Sequence, residues 1–298
     1  MADLGYDGKV AIITGSGGGL GWEHAKLLAS RGAQVVINDL GGAADGSGHS
    51  NLAEQRAKEI EDLGGVAIAN TDSVATPEGG ANIVKTAMDT YGRIDIIINN
   101  AGILRDKTFH NMTPDFVDPV IDVHLRGAFN VTQPAWSIMR AQGYGRVINT
   151  SSNSGILGNF GQANYGAAKM GLVGFTRVLA AEGAKYNIKV NALAPIARTR
   201  MTEDLLGPFA EKLDPSLVTP VVAWLAHEDC PVSGEIYSAA GGRVARFFIG
   251  MTTGYTKKDG PLTVEDVRDQ FDVIRDPEGY TIPNGPGDEL KALLTALG

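Results

Sequence analysis

Val10-Ala11-Ile12-Ile13-Thr14 runs directly into Gly15-Ser16-Gly17-Gly18-Gly19-Leu20-Gly21. A short apolar run stopped by glycine reads as a buried parallel strand. Residues 20–31 follow with helical spacing and stop at Gly32. The turn therefore opens a helix, where free backbone amides face an anion and glycines let the chain approach a pyrophosphate. An ordinary strand–helix turn needs one or two glycines, and here five fall within seven residues. Gly15, Gly19, Leu20 and Gly21 are the expected phosphate contacts.

The same alternation continues along the chain. Strands are expected at 34–39, 66–72, 94–99, 146–151, 189–193 and 235–239, with helices at 51–63, 77–91, 116–141 and 162–185. Strands separated by helices imply right-handed crossovers and a mostly parallel sheet covered on both faces, a doubly wound α/β fold. No repeat or linker interrupts residues 8–242, so residues 1–242 are read as one domain. Residues 243–298 are more polar and punctuated by Gly and Pro. They hold two helical stretches, one opening on a Thr263/Asp266 capping box. They read as an ordered C-terminal extension, packing on the domain or on a dimer partner.

Bulk numbers exclude several classes. With 43% hydrophobic residues in 298, the chain can bury a core. A net charge of −8 with interspersed acids and bases argues against nucleic acid or an anionic membrane as partner. Cys230 is the single cysteine, so no intramolecular disulfide or Cys-rich metal site is expected, and the histidines show no metal-ligand spacing. No apolar run reaches the ~18 residues of a membrane span. A cytoplasmic location is expected.

The remaining chemistry falls at strand ends. Asp39 closes the second strand, where a carboxylate accepts both adenosine ribose hydroxyls and repels a 2′-phosphate. No Lys or Arg lies between residues 32 and 55, which favours NAD over NADP. Ser73-Val74 and Asn99-Asn100-Ala101-Gly102 follow the third and fourth strands, on the ligand side. Ser73, Val74, Asn99, Ala101 and Gly102 are candidate cofactor contacts. For the asparagine amides a strand-locking role stands beside that one. Ser152 closes the fifth strand. Tyr165 and Lys169, four apart, share a face of the next helix. A lysine ammonium with a cationic nicotinamide would stabilise the phenolate, making Tyr165 a general base. Ser152 would hydrogen-bond the substrate oxygen while hydride leaves its carbon.

Taken together, TGxxxGxG, NNAG, Ser152, the YxxxK of Tyr165 and Lys169, and Asn191-Ala192-Leu193-Ala194-Pro195 resemble the short-chain dehydrogenase/reductase family over residues 8–242. The resemblance implies a single Rossmann-type domain with a seven-stranded parallel sheet, Tyr165 as acid/base, Lys169 as ribose anchor and Ser152 as substrate binder. It implies that Ile196 and Thr199 touch the nicotinamide. It also implies a homodimer, with a tetramer as the larger alternative.

A narrower resemblance, through Asn38-Asp39-Leu40-Gly41-Gly42, Ile103-Leu104-Arg105-Asp106, His124-Leu125-Arg126-Gly127 and Trp224-Leu225-Ala226-His227-Glu228, is to the dehydrogenase units of peroxisomal multifunctional enzymes of type 2. It implies oxidation of (3R)-3-hydroxyacyl-CoA to 3-ketoacyl-CoA, or of a 17β-hydroxysteroid or other secondary alcohol. It implies a free-standing bacterial version lacking the hydratase and sterol-carrier parts. A non-catalytic NAD-binding protein is the reading from another class, and the intact Ser152–Tyr165–Lys169 set speaks against it. His124 stands where most of the family has a relay asparagine, with proton relay and plain packing as its two readings. The usual Pro-Gly is Pro195-Ile196. Arg198, Arg200, Arg105 and Lys107 are candidates for CoA phosphates, and the substrate pocket is expected to draw its walls from loops near 155–161 and 196–215.

Overall fold

Alternation within the strands accounts for the two faces of the core. In β1 (Val10–Thr14), Ala11 and Ile13 join one apolar cluster, while Val10 and Ile12 join the other. All four are fully buried. Removing each large side chain from water contributes about 1.5–3 kcal/mol. A strand apolar on both faces must be covered on both, which forces the layered arrangement. The structure is a computed structural model and describes residues 4–199, 202 and 207–297.

The strands are β1, β2 (Gln34–Asn38), β3 (Val66–Asn70), β4 (Ile96–Asn99), β5 (Gly145–Thr150), β6 (Ile188–Pro195), β7 (Ile236–Ala240) and β8 (Arg243–Phe247). Their order in the sheet is β3-β2-β1-β4-β5-β6-β7-β8. The first seven in this order pair in parallel. The sheet thus holds the seven expected strands and one more. β8 returns after the two-residue turn Gly241-Gly242, a connection only an antiparallel pair allows.

The helices are α1 (Gly19–Ser30), α2 (Leu52–Asp62), α3 (Pro77–Tyr91), α4 (Pro114–Ile121), α5 (Gly127–Gln142), α6 (Asn153–Leu157), α7 (Ala163–Gly183), α8 (Thr219–Ala226), α9 (Val264–Asp269), α10 (Phe271–Arg275) and α11 (Pro286–Leu297). Leu28 of α1, Ile60 of α2 and Leu225 of α8 cover one face of the sheet. Ile83 of α3 with Val131 and Met139 of α5 cover the other. The helix expected over 116–141 is instead α4 and α5 joined by a π-helical turn, Asp122–Arg126.

Two compact units emerge, Met1–Arg246 and Phe247–Gly298. The second carries α9 to α11. Within it, Thr263 and Asp266 form the capping box that opens α9. Phe248 stacks on Tyr280 at 5.6 Å, and Met251 bridges Thr281.

Candidate active site

Strand order reverses direction at β1, whose neighbours are β2 and β4. Crossovers leave this point to opposite sides, which opens a crevice at the carboxyl ends of the strands. A cleft of about 420 Å³ lies there.

The glycine loop forms one wall. Gly15 has φ +64°, and a Cβ on it would lie 2.7 Å from Ala101 Cα. A Cβ on Gly21 would lie 2.3 Å from the Gly15 carbonyl oxygen. Both positions therefore require glycine. Two residues outside the expected contacts lace the loop to the end of β4. Thr14 Oγ1 accepts from the Asn100 and Ala101 amides, each at 3.0 Å. Asn100 Nδ2 donates to the Thr14 and Gly15 carbonyls at 2.9 and 3.0 Å. A threonine closing one strand beside Asn-Asn at the end of the next was the available clue. Gly15, Gly19 and Leu20 line the cleft, whereas Gly21 packs beneath the loop.

Asp39 sits on the wall with its carboxylate fixed. Oδ2 accepts from the Gly17 amide at 2.8 Å and Oδ1 from the Gly41 amide at 2.7 Å. The structure adds a cation that the sequence window ended just short of. Arg56, on α2, donates to the Gly17 carbonyl at 3.0 Å, lies over Trp22 and pairs with Glu59 at 2.7 Å. Ser73, Val74, Ala101 and Gly102 line the cleft, and Asn130 holds the Val74 carbonyl at 2.8 Å.

Asn99 is buried away from the main cleft. Its amide donates to Asn149 Oδ1 at 2.8 Å and Thr132 Oγ1 at 3.0 Å, which is the strand-locking role. Ile196 also misses the wall. Pro195 and Ala197 line it, and Ile196 between them faces elsewhere because side chains of an extended segment alternate. Thr199 faces the glycine loop, 3.3 Å from where a Cβ on Gly19 would stand. Thr202 supports it, accepting from the Thr199 amide at 2.9 Å.

The far end of the cleft carries Tyr165 and Lys169 on α7, with His124 from the π-helical turn. Ser152 caps α6 beside them, accepting from the Ser154 amide at 3.1 Å. Lys169 is buried, donates to the Thr150 carbonyl at 2.5 Å and lies 5.5 Å from the Tyr165 ring centre. Burial pushes its ammonium down to about 7. Burial pushes the Tyr165 phenol up, while a hydrogen bond from Ser152 pulls the other way. The protein alone thus favours a neutral phenol.

The His124 ring meets Tyr165 edge-on at 5.1 Å. Its Nε2 lies 2.8 Å from the Ile103 carbonyl and 3.0 Å from the Ile103 amide. Burial and the Lys169 charge hold His124 well below the usual histidine range, so it is neutral. Its Nδ1, with Asn99 Oδ1 and Thr150 Oγ1, is buried without a hydrogen-bond partner among the described residues.

Of the four basic candidates for CoA phosphates, three lie among the described residues. Arg105 donates to the Asp45 and Asp115 carbonyls at 3.1 and 2.9 Å. Lys107 lies over Phe116. Arg198 is exposed, with its amide bonded to the Leu213 carbonyl. Arg200 lies outside the described residues.

A parallel sheet with a glycine loop at its switch point, facing a Tyr–Lys pair across one cleft, is the layout of a nicotinamide-dependent oxidoreductase. The chain belongs to the short-chain dehydrogenase family, whose sequence profile matches residues 9–206. It is 51% identical over 280 residues to a short-chain type dehydrogenase/reductase of Mycobacterium tuberculosis, covering 93% of this chain and 98% of that one. It is 48% identical over 277 residues to mouse peroxisomal multifunctional enzyme type 2, covering 92% of this chain and 37% of the mouse enzyme. The structure of full-length peroxisomal multifunctional enzyme type 2 from Drosophila melanogaster superposes with a TM-score of 0.84 at 37% identity, covering 99% of this chain and 50% of that one. The chain therefore spans half or less of these two multifunctional enzymes. The protein is an oxidoreductase, and family and fold together imply a nicotinamide dinucleotide cofactor. The site fits one: the cradle at Gly15 admits no side chain, and an acceptor-only carboxylate stands at the ribose end.

Proposed function

We propose that the chain is an NAD-dependent dehydrogenase that oxidises (3R)-3-hydroxyacyl-CoA to 3-ketoacyl-CoA. The observation that carries the reading is the single cleft joining the Asp39 carboxylate to the Tyr165–Lys169 pair. The choice of substrate class rests on likeness to the multifunctional enzymes over nearly the whole chain.

Asp39 accepts the adenosine ribose hydroxyls and opposes a 2′-phosphate. Arg56 does not reverse this, because Glu59 and the Gly17 carbonyl already engage it. Ser152 orients the substrate hydroxyl toward Tyr165. Tyr165 takes the hydroxyl proton on its phenolate oxygen as the carbon–oxygen bond becomes a carbonyl. When bound, the dinucleotide supplies the hydride acceptor and a positive charge beside the phenol. Lys169 anchors the ribose and adds its own charge, which favours the phenolate. His124 stays neutral and offers its buried Nδ1, which has no hydrogen-bond partner among the described residues, as a relay or an orienting group. A homodimer in the cytoplasm completes the proposal.

The test is NADH formation from a panel. 3-Hydroxyacyl-CoA thioesters with NAD should give the highest kcat/KM, with NADP at least about tenfold worse, a difference of ~1.4 kcal/mol. Free 17β-hydroxysteroids turning over faster than the thioesters would favour the steroid reading. Tight NAD binding with no turnover of any alcohol would favour a pure binder.

A further inference from the structure

In Met1–Arg246, four large apolar side chains among the described residues are more than 70% exposed: Phe160 at 87%, Phe109 at 80%, Leu63 at 74% and Leu157 at 71%. Leu63 stands alone at the end of α2. The other three belong to two segments next to the start of α7, the turn at 109–111 and the end of α6 with the loop after it. Single exposed apolar residues are ordinary. Three of the four on one lip are not.

The lip is held firmly. The Lys107 amide donates to the Gly161 carbonyl at 2.9 Å, and Lys107 bridges Gln162. Gln162 Nε2 donates to Asp106 at 2.7 Å and Gln162 Oε1 accepts from Asn159 at 2.9 Å. Asn164, itself buried, donates to the Arg105 and Phe116 carbonyls and accepts from the Tyr165 amide. Leu157 ends the single-turn helix α6 that Ser152 caps. Polar bonds thus fix these loops against Tyr165 and Ser152 while their phenyl rings stay in water. Neither ring enters an aromatic contact among the described residues.

Resting on the proposed function, we infer that Phe109, Leu157 and Phe160 form the platform for the alkyl tail of the acyl substrate and set its chain-length preference. The hydroxyl-bearing carbon must sit at Tyr165. The thioester leaves it on one side and the alkyl chain on the other, so a long chain has to cross residues that flank Tyr165. The lip is apolar and is tied through Lys107, Asn164 and the Ser152 cap to the residues next to Tyr165, and covering it removes both partners from water.

The test uses binding, so that it stands apart from turnover. Dodecanoyl-CoA and butyryl-CoA carry no hydroxyl to oxidise. Each is titrated calorimetrically into NAD-loaded enzyme. The wild type should bind dodecanoyl-CoA at least about tenfold more tightly than butyryl-CoA. The Phe109→Ser, Phe160→Ser double variant should bring that ratio close to unity with butyryl-CoA affinity unchanged, and the Leu double variant should retain most of it. An unchanged ratio in the Ser variant overturns the inference, as does no chain-length effect in the wild type. Dissociation of an oligomer in the Ser variant with the ratio intact would assign the lip to a second copy of the chain instead. Absence of NADH formation from every hydroxyacyl-CoA would sink the dehydrogenase reading alone, leaving the binding ratio to decide the lip.

Discussion

Lys169 is the residue on which structure and chemistry pull hardest against each other. Its ammonium is buried and donates to the Thr150 carbonyl. Its pKa falls from 10.5 to about 7. A base whose folded pKa lies below its unfolded one costs stability as pH falls from 10.5 through 7, and the full cost persists below that. At neutral pH the folded protein therefore carries most of this cost for the sake of the site. Lys169→Met should raise stability by about 1 kcal/mol or more, a rise in melting temperature of roughly 2–4 °C, while removing activity. A melting temperature that falls sharply would show that Lys169 holds the fold together. The side chains at Ser152, Tyr165 and Lys169 were legible because residue type and spacing alone define the pattern. The opposing pulls on Tyr165 and Lys169 were not, since desolvation depends on what the rest of the chain places around them.

At the scale of elements, the π-helical turn decides where His124 points. Residues 116–141 carry continuous helical spacing, and hydropathy does not distinguish an α from a π turn, so the sequence predicts one helix. The wider turn directs His124 inward to the Ile103 backbone. Gly102 is the matching element across the gap. A Cβ there would stand 2.4 Å from His124 Cε1, a contact that packed interiors do not accommodate without movement. Gly102→Ala should lower kcat about tenfold or more and cost about 1–3 kcal/mol of stability. Kinetics paired with a denaturant curve check this, and wild-type values in both would show that the ring moves freely. The parallel strands were well marked, since each is an apolar run between turn residues, whereas β8, α6 and α8 were not expected. Ile196 illustrates the finer failure. The segment after β6 was recognised, but which of its alternating residues face the cleft depends on the register with β7, where the Ile196 amide bonds to the Ala239 carbonyl.

For the whole molecule, two buried histidines make stability fall in acid. His24 is fully buried against Thr219, and burial pushes it down to about 3. His124 is lowered by the same cause and by Lys169. For both, the unfolded chain binds the proton first, so stability is fully present above about pH 6.5 and falls as pH drops below that. Each contributes a slope of ~1.4 kcal/mol per pH unit across this window. His24→Leu should remove one such slope, read as the change in denaturation midpoint between about pH 7 and about pH 5. An unaltered slope would place His24's titration elsewhere. Sequence alone showed for His24 only that its spacing suggests no metal site. Its burial follows from α1 packing near α8, a contact between segments some two hundred residues apart.

The central claim is that Tyr165 is the proton acceptor for NAD-linked oxidation in this cleft. Replacing it by phenylalanine removes the hydroxyl and leaves the glycine loop, Asp39 and Lys169 in place. Steady-state NADH formation from a 3-hydroxyacyl-CoA, measured with the NAD dissociation constant, is the most direct test. The account predicts that kcat falls by at least about three orders of magnitude, roughly 4 kcal/mol, while NAD affinity stays within about threefold of wild type. A Tyr165→Phe enzyme that still turns over at the wild-type rate would contradict it.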